Sequence, residues 1–203
     1  MLYVDDALVV VDKPAGLLAV PGRGEHLKDC AATRVQARFA DALVVHRLDQ
    51  ATSGLLIFAR GAAAQRTLSQ AFAARQVAKH YTAEVGGLVV EDQGAIELPL
   101  AADWPNRPRQ KVDEAQGKPS ITHWRVLSRD AANGTTRVEL EPLTGRSHQL
   151  RVHLQSIGHA IVGDTLYAPP ALAAPRLMLH ACALTLPHPA DGRAMSFCST
   201  VPF

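Results

Sequence analysis

Seven strand-length runs, at 7–11, 53–59, 79–85, 121–127, 135–141, 178–186 and 196–200, constrain this chain most. Residues 7–11 and 53–59 are uninterrupted apolar stretches bounded by turn-formers, the pattern of interior strands buried on both faces. The others alternate or run apolar, and Asn133-Gly134 supplies the one strong hairpin signal. Only residues 62–75 switch clearly to helical spacing, with Ala64, Leu68, Ala71 and Phe72 apolar and Arg66, Gln70 and Arg75 among the polar positions. The expectation is an α+β fold, a long mixed but mainly antiparallel sheet flanked by a few helices. At 203 residues and 47% hydrophobic composition, the chain suits a single domain over 1–203 with ample core.

Several classes drop out. The longest stretch free of Asp, Glu, Lys and Arg spans 14 residues, 177–190, and contains His180, Pro187, His188 and Pro189, so it is no membrane span. The start, MLYVDDALVVVDKP, puts Asp5 and Asp6 where a secretory signal carries positive charge, so a cytoplasmic protein is expected. Cys30, Cys182 and Cys198 are an odd number without a C-x-x-C pair, which argues for reduced, half-buried thiols. A net charge of +2 implies no partner by itself. Its distribution is more informative: 16 of the 21 basic residues are arginine, and residues 60–80 hold four cations and no carboxylate. Residues 104–129 hold six cations against Asp113 and Glu114, a pattern that suits RNA or a solvated surface alike.

The most chemically loaded stretch is HRLDQATSGLL, residues 46–56, between two apolar runs. An aspartate there can form a turn or a cap. It could join His46, His148, His153 or His159 at a metal, although the helical histidine spacings of five and six do not match the three or four that share a helix face. It could also act directly as nucleophile or base, held ionised by an arginine from elsewhere. Leu55 and Leu56 read as pocket floor or strand core. In SHQLRVHLQSIG, Leu150, Leu154 and Ile157 form one stripe, while His148, Arg151 and Gln155 share another face after a flexible Thr144-Gly145 turn. On its own that segment reads as a surface helix with a basic face.

HRLDQATSGLL resembles the catalytic motif of the RluA family of pseudouridine synthases. DDALVVVDKPAGLLAVPG, AKHYTAEVGG, GKPSITHWRV, PLTGRSHQLRVHLQSIGHAIVGDTLY and RLMLHACALTLPHP resemble further segments of that family in the same order, over nearly the whole chain. DWPNRPRQKV, residues 103–112, looks most like the RluA subgroup, whose members modify a tRNA anticodon stem-loop and a large-subunit (23S) rRNA hairpin. Ser147 stands where relatives often have threonine. No amino-terminal S4 domain is expected, so RNA is expected to be gripped by this domain alone.

The resemblance implies isomerisation of uridine in RNA: the C1′–N1 bond breaks, the uracil turns, and C5 bonds to C1′. Nothing is oxidised or lost, and no metal or cofactor is implied. By match of position Asp49 is the catalytic aspartate, through attack on C1′ or, by preference for the family, removal of the C2′ proton to give a glycal. Arg151 would pair with Asp49, and Tyr81 would stack on the uracil, its hydroxyl near the departing C5 proton. Arg47 would fill the place of a flipped-out uridine. His46, Arg107, Arg109, Lys111 and Arg146 are the further candidates for substrate contact. A monomer is expected. The alternative is a non-catalytic RNA-binding module of the same fold, which would have no use for a carboxylate beside anionic RNA. A metal-dependent hydrolase is a second rival.

Overall fold

The computed structural model describes residues 1–24 and 27–203. In chain order the strands and helices are β1 (Tyr3–Val4), β2 (Leu8–Lys13), α1 (Ala31–Gln36), β3 (Ala42–Val44), β4 (Ser53–Arg60), α2 (Gly61–Ala73), β5 (Ala78–Gly86), β6 (Gln93–Ile96), β7 (Leu100–Ala102), β8 (Gln110–Val112), β9 (Thr122–Asp130), β10 (Thr135–Pro142), α3 (Gln149–Ser156), β11 (Leu179–Pro187) and β12 (Ala194–Cys198). Ten strands belong to one sheet, and β7 and β8 form a separate hairpin. The fold is α+β with a large, mainly antiparallel sheet, as expected. The chain divides into two compact units, Met1–Lys79 with Ala181–Pro202, and His80–His180 with Phe203.

In the first unit, antiparallel pairing of β2 with β4 sets Leu8 opposite Ala59 and Val10 opposite Ile57. Those four side chains face Ala64, Leu68 and Ala71 of α2, whose 3.6-residue spacing supplies the complementary stripe, and Leu184 and Leu186 of β11 join the same core. Val9, Leu56 and Phe58 point the other way along the strands and are fully buried too, which is why these segments read as continuous apolar runs. Leu55 and Leu56 are strand core. Helix α1, six residues long, is too short to show a helical period in the sequence. Its start is capped by the Cys30 thiol, which accepts from Thr33 N, while the Thr33 hydroxyl accepts from Cys30 N. The half-buried expectation for the thiols fits Cys182 alone, since Cys30 is buried and Cys198 is exposed.

In the second unit, β10 pairs with both β5 and β9, and β6 with β9, all antiparallel. Thr136, Val138, Leu140 and Pro142 of β10 are buried, while Glu139 and Glu141 alternate outward beside Arg125 and His123. β9 and β10 form the hairpin that Asn133-Gly134 signals, through a four-residue loop. Asp130 accepts from the amides of Ala132 and Asn133 and from Asn133 Nδ2, and Gly134, at φ +62°, closes the loop.

Candidate active site

In the first unit, the loop from β3 to β4 carries His46, Arg47 and Asp49. Leu48 anchors it by sinking into the core, with exposed Arg47 and half-buried Asp49 on either side. Its far end is fixed by Gly54, whose φ of +114° suits glycine and where a side chain would strike the backbone of Ala181. Lys13, fully buried, holds the loop from a second direction. Its ammonium donates to the carbonyls of Pro14, Leu17 and Gln50 at 3.0, 2.8 and 3.1 Å, and Gln50 and Gly16 bond each other in both directions. A charge this deep is tolerated because hydrogen bonds replace its hydration.

His46 is used by the fold. Its Nε2 accepts the Ile57 amide at 3.0 Å, and its ring stacks on Phe72 with centroids 4.8 Å apart. Burial first, and the positive charge of Lys79 second, push the imidazole down to about 3, so it is neutral at physiological pH.

In the second unit, Tyr81 lies half-buried on β5 opposite Leu140. Arg151 is no surface arginine: its side chain is 5% exposed. Its Nε and Nη2 donate to Oδ2 and Oδ1 of Asp164, each at 2.7 Å, and Asp164 also accepts from the amides of Leu166 and Tyr167. The bidentate partner resolved for Arg151 is thus Asp164, a residue sequence reasoning did not single out. Gly163 allows this geometry, since at φ +76° any side chain there would strike the Arg176 carbonyl. The Tyr167 ring lies 5.1 Å from the Arg151 guanidinium and 5.3 Å from that of Arg109. Its hydroxyl, pushed up by burial, accepts from Gln110 N and bonds His148 Nδ1, both at 2.7 Å.

Helix α3 departs from the expected pattern. Residues 149–154 are all buried, Ile157 is 38% exposed, and His148 precedes the helix in a left-handed conformation. The turn before it is anchored at Thr144. Buried Thr144 accepts from Ile121 N and donates to Gln149 Oε1, while Gln149 Nε2 donates to Ile121 O and Thr122 Oγ1. His153 commits Nδ1 to Thr122 Oγ1 and Nε2 to Leu98 O, and burial pushes it down. His159 Nδ1 bonds Gly86 O. Arg146 is exposed, as are Arg107 and Lys111; Lys111 pairs with Asp113 at 3.2 Å and Arg107 stacks on Trp104 at 4.7 Å. Sequence reasoning therefore missed Lys13, Gln149, Asp164 and Tyr167, whose importance lies in burial.

A carboxylate on a pinned loop, a half-buried tyrosine on a strand and a buried, carboxylate-held arginine are groups for acid–base chemistry without redox change. Residues 7–156 match the family model described as RNA pseudouridylate synthase. The chain belongs to that family, and within it to the RluA group. It is 50% identical to the dual-specificity RNA pseudouridine synthase RluA of Escherichia coli K12 over 205 aligned residues, covering 100% of this chain and 93% of that protein. The corresponding protein of Pasteurella multocida is 47% identical at the same coverage. Among solved structures, human RNA pseudouridylate synthase domain containing 1 superposes with a TM-score of 0.83 at 31% identity, covering 100% of this chain and 83% of that one. The protein is an RNA pseudouridine synthase, an isomerase.

Proposed function

We propose that this enzyme converts uridine to pseudouridine in two RNAs, a tRNA anticodon stem-loop and a large-subunit rRNA hairpin. The observation that carries this reading is the full-length likeness to dual-specificity relatives, 50% identical across the whole chain. In the proposed reaction Asp49 takes the C2′ proton, the C1′–N1 bond breaks, and the uracil and a glycal remain in the site. The uracil turns, C5 bonds to C1′, and Asp49 returns the proton to C2′. The C5 proton then leaves beside the Tyr81 hydroxyl and the former N1 is protonated, so the atoms balance. In this reading Arg151 is the arginine that would pair with Asp49. Because Asp164 engages the Nε–Nη2 edge of the guanidinium, this pairing uses the remaining donors.

A stacked uridine must first be extruded, at a cost of a few kcal/mol, and Arg47 takes its place in the helix. Arg107, Arg109, Lys111 and Arg146 supply phosphate contacts. The same reading has the enzyme acting in the cytosol as a monomer, without metal or cofactor. The test is isomerisation of each RNA separately by the purified protein in excess EDTA. Pseudouridine at one defined position in each supports the reading. Product in a single RNA overturns the dual specificity, and loss of activity in EDTA overturns the metal-free mechanism.

A further inference from the structure

We propose that Trp104 is a stacking platform for one unpaired nucleobase of the substrate RNA, a base other than the uridine that reacts. This deepens the function proposed above and rests on it. Trp104 begins the single 3-10 turn at the tip of the β7–β8 hairpin, and the residue is 67% exposed. The other large apolar residues strongly exposed among the described residues are aliphatic or methionine. An exposed indole forfeits the large burial an aromatic ring normally contributes, and its N–H makes no hydrogen bond to the described residues.

The fold does not need this ring. Asp103 N donates to Arg109 O, Asn106 N to Asp103 O and Arg109 N to Asn106 O, each at 3.0 Å. Asn106 Nδ2 bonds Asp103 Oδ2 at 2.9 Å. Backbone and Asx bonds thus lock the tip, and the indole is presented ready-made, so little ordering cost remains on binding.

The surroundings select the ligand. The Arg107 guanidinium lies 4.7 Å from the indole centroid, and no other ring or cation stacks on Trp104 among the described residues. Arg109 follows two residues on, while Lys111 is paired with Asp113, so the tip combines a π-face with the positive charge of its two arginines. A ligand with a flat π-face and a nearby negative charge satisfies both, which describes a nucleobase with its phosphate. It must be unpaired, because a base inside a duplex already has both faces stacked; RNA loops splay such bases onto aromatic side chains and arginine planes. The hairpin is also tied to the chemistry of its unit. Gln110 N donates to the Tyr167 hydroxyl, and the Tyr167 ring lies near both Arg109 and Arg151.

The experiment compares wild type, Trp104→Ala and Trp104→Phe on a stem-loop that the wild type modifies, in single-turnover assays across RNA concentration. Removal of a base–aromatic stack corresponds to about 5- to 150-fold. Trp104→Ala should raise the half-saturating RNA concentration by that factor, with the defect concentrated there rather than in the maximal rate, and Trp104→Phe should recover most of it. Single abasic substitutions through the loop should include one position whose penalty disappears in Trp104→Ala. A half-saturating concentration within twofold of wild type overturns the proposal, as does a loop in which every abasic penalty persists in the variant. An equal defect in Trp104→Phe, accompanied by a shallower salt slope, overturns it in favour of a purely electrostatic role for the tip. Failure of the functional reading is distinguishable, because wild type would then form no pseudouridine in any stem-loop.

Discussion

Removing one partner of the Arg151–Asp164 pair should be among the most damaging single changes in this protein. The pair is bidentate at 2.7 Å, its side chains 5% and 0% exposed, and Asp164 accepts two backbone amides besides. In Asp164→Asn an amide N–H meets guanidinium N–H groups, or the amide turns and meets backbone donors, and the arginine loses its countercharge. Breaking a buried pair this way costs about 3–5 kcal/mol. In a domain of this size about 2–4 °C of Tm accompanies each kcal/mol, so the midpoint should fall by about 6–20 °C. Urea and thermal denaturation of Asp164→Asn would measure it, with Asp29→Asn as control. Asp29 and Arg34 have the same two-pronged geometry at 2.7 Å but are 63% and 59% exposed, so water screens the pair and Tm should barely move. The double variant Arg151→Met/Asp164→Asn should regain part of the stability lost in Asp164→Asn, since the unpaired guanidinium is removed while the amide oxygen still accepts the Leu166 and Tyr167 amides, yet remain inactive. A loss below about 1 kcal/mol in Asp164→Asn would refute the reasoning, as would a double variant as unstable as the single losses added.

Two further outcomes follow from the loop that carries Asp49. Because the folded pKa of His46 lies at about 3, below its unfolded value near 6.5, the unfolded state binds the extra proton as pH falls. Stability from this group is complete above pH 6.5 and declines toward pH 3 with a limiting slope of about 1.4 kcal/mol per pH unit. Denaturation from pH 6.5 to 4.5 should show a shallower decline in His46→Asn, whose amide oxygen can still accept from Ile57, and equal slopes would remove the imidazole from the account. Arg47→Ala should depress single-turnover efficiency strongly on a folded hairpin and much less on a short unstructured RNA with the same flanking bases; equal losses at matched salt would mark a phosphate contact instead.

The parts of this fold that could be read in advance are those whose period survives in the sequence. The runs in β2 and β4 and the 3.6-residue stripe of α2 announce themselves because each side chain's burial follows from its own element. Strands of two to four residues, such as β3, β6, β7 and β8, are too short to show a period. The site divides the same way. HRLD is conspicuous because three chemically loaded side chains crowd an otherwise apolar segment. Lys13 and Asp164 are not, since lysine is almost always exposed and an aspartate after glycine usually marks a turn. What gives them their roles is depth, and depth is set by segments far away in the chain. Arg151 shows the converse, a helix position whose local pattern suggests a surface face until tertiary packing buries it.

The most direct test of the account is single-turnover pseudouridine formation by Asp49→Asn, alongside direct binding of the same stem-loop. The amide keeps the side chain's shape but supplies neither charge nor basicity, and positioned general bases contribute about 100- to 10,000-fold. Asp49→Asn should form pseudouridine at least about 100-fold more slowly, with RNA affinity within a few-fold of wild type. A near wild-type rate would contradict this role for Asp49.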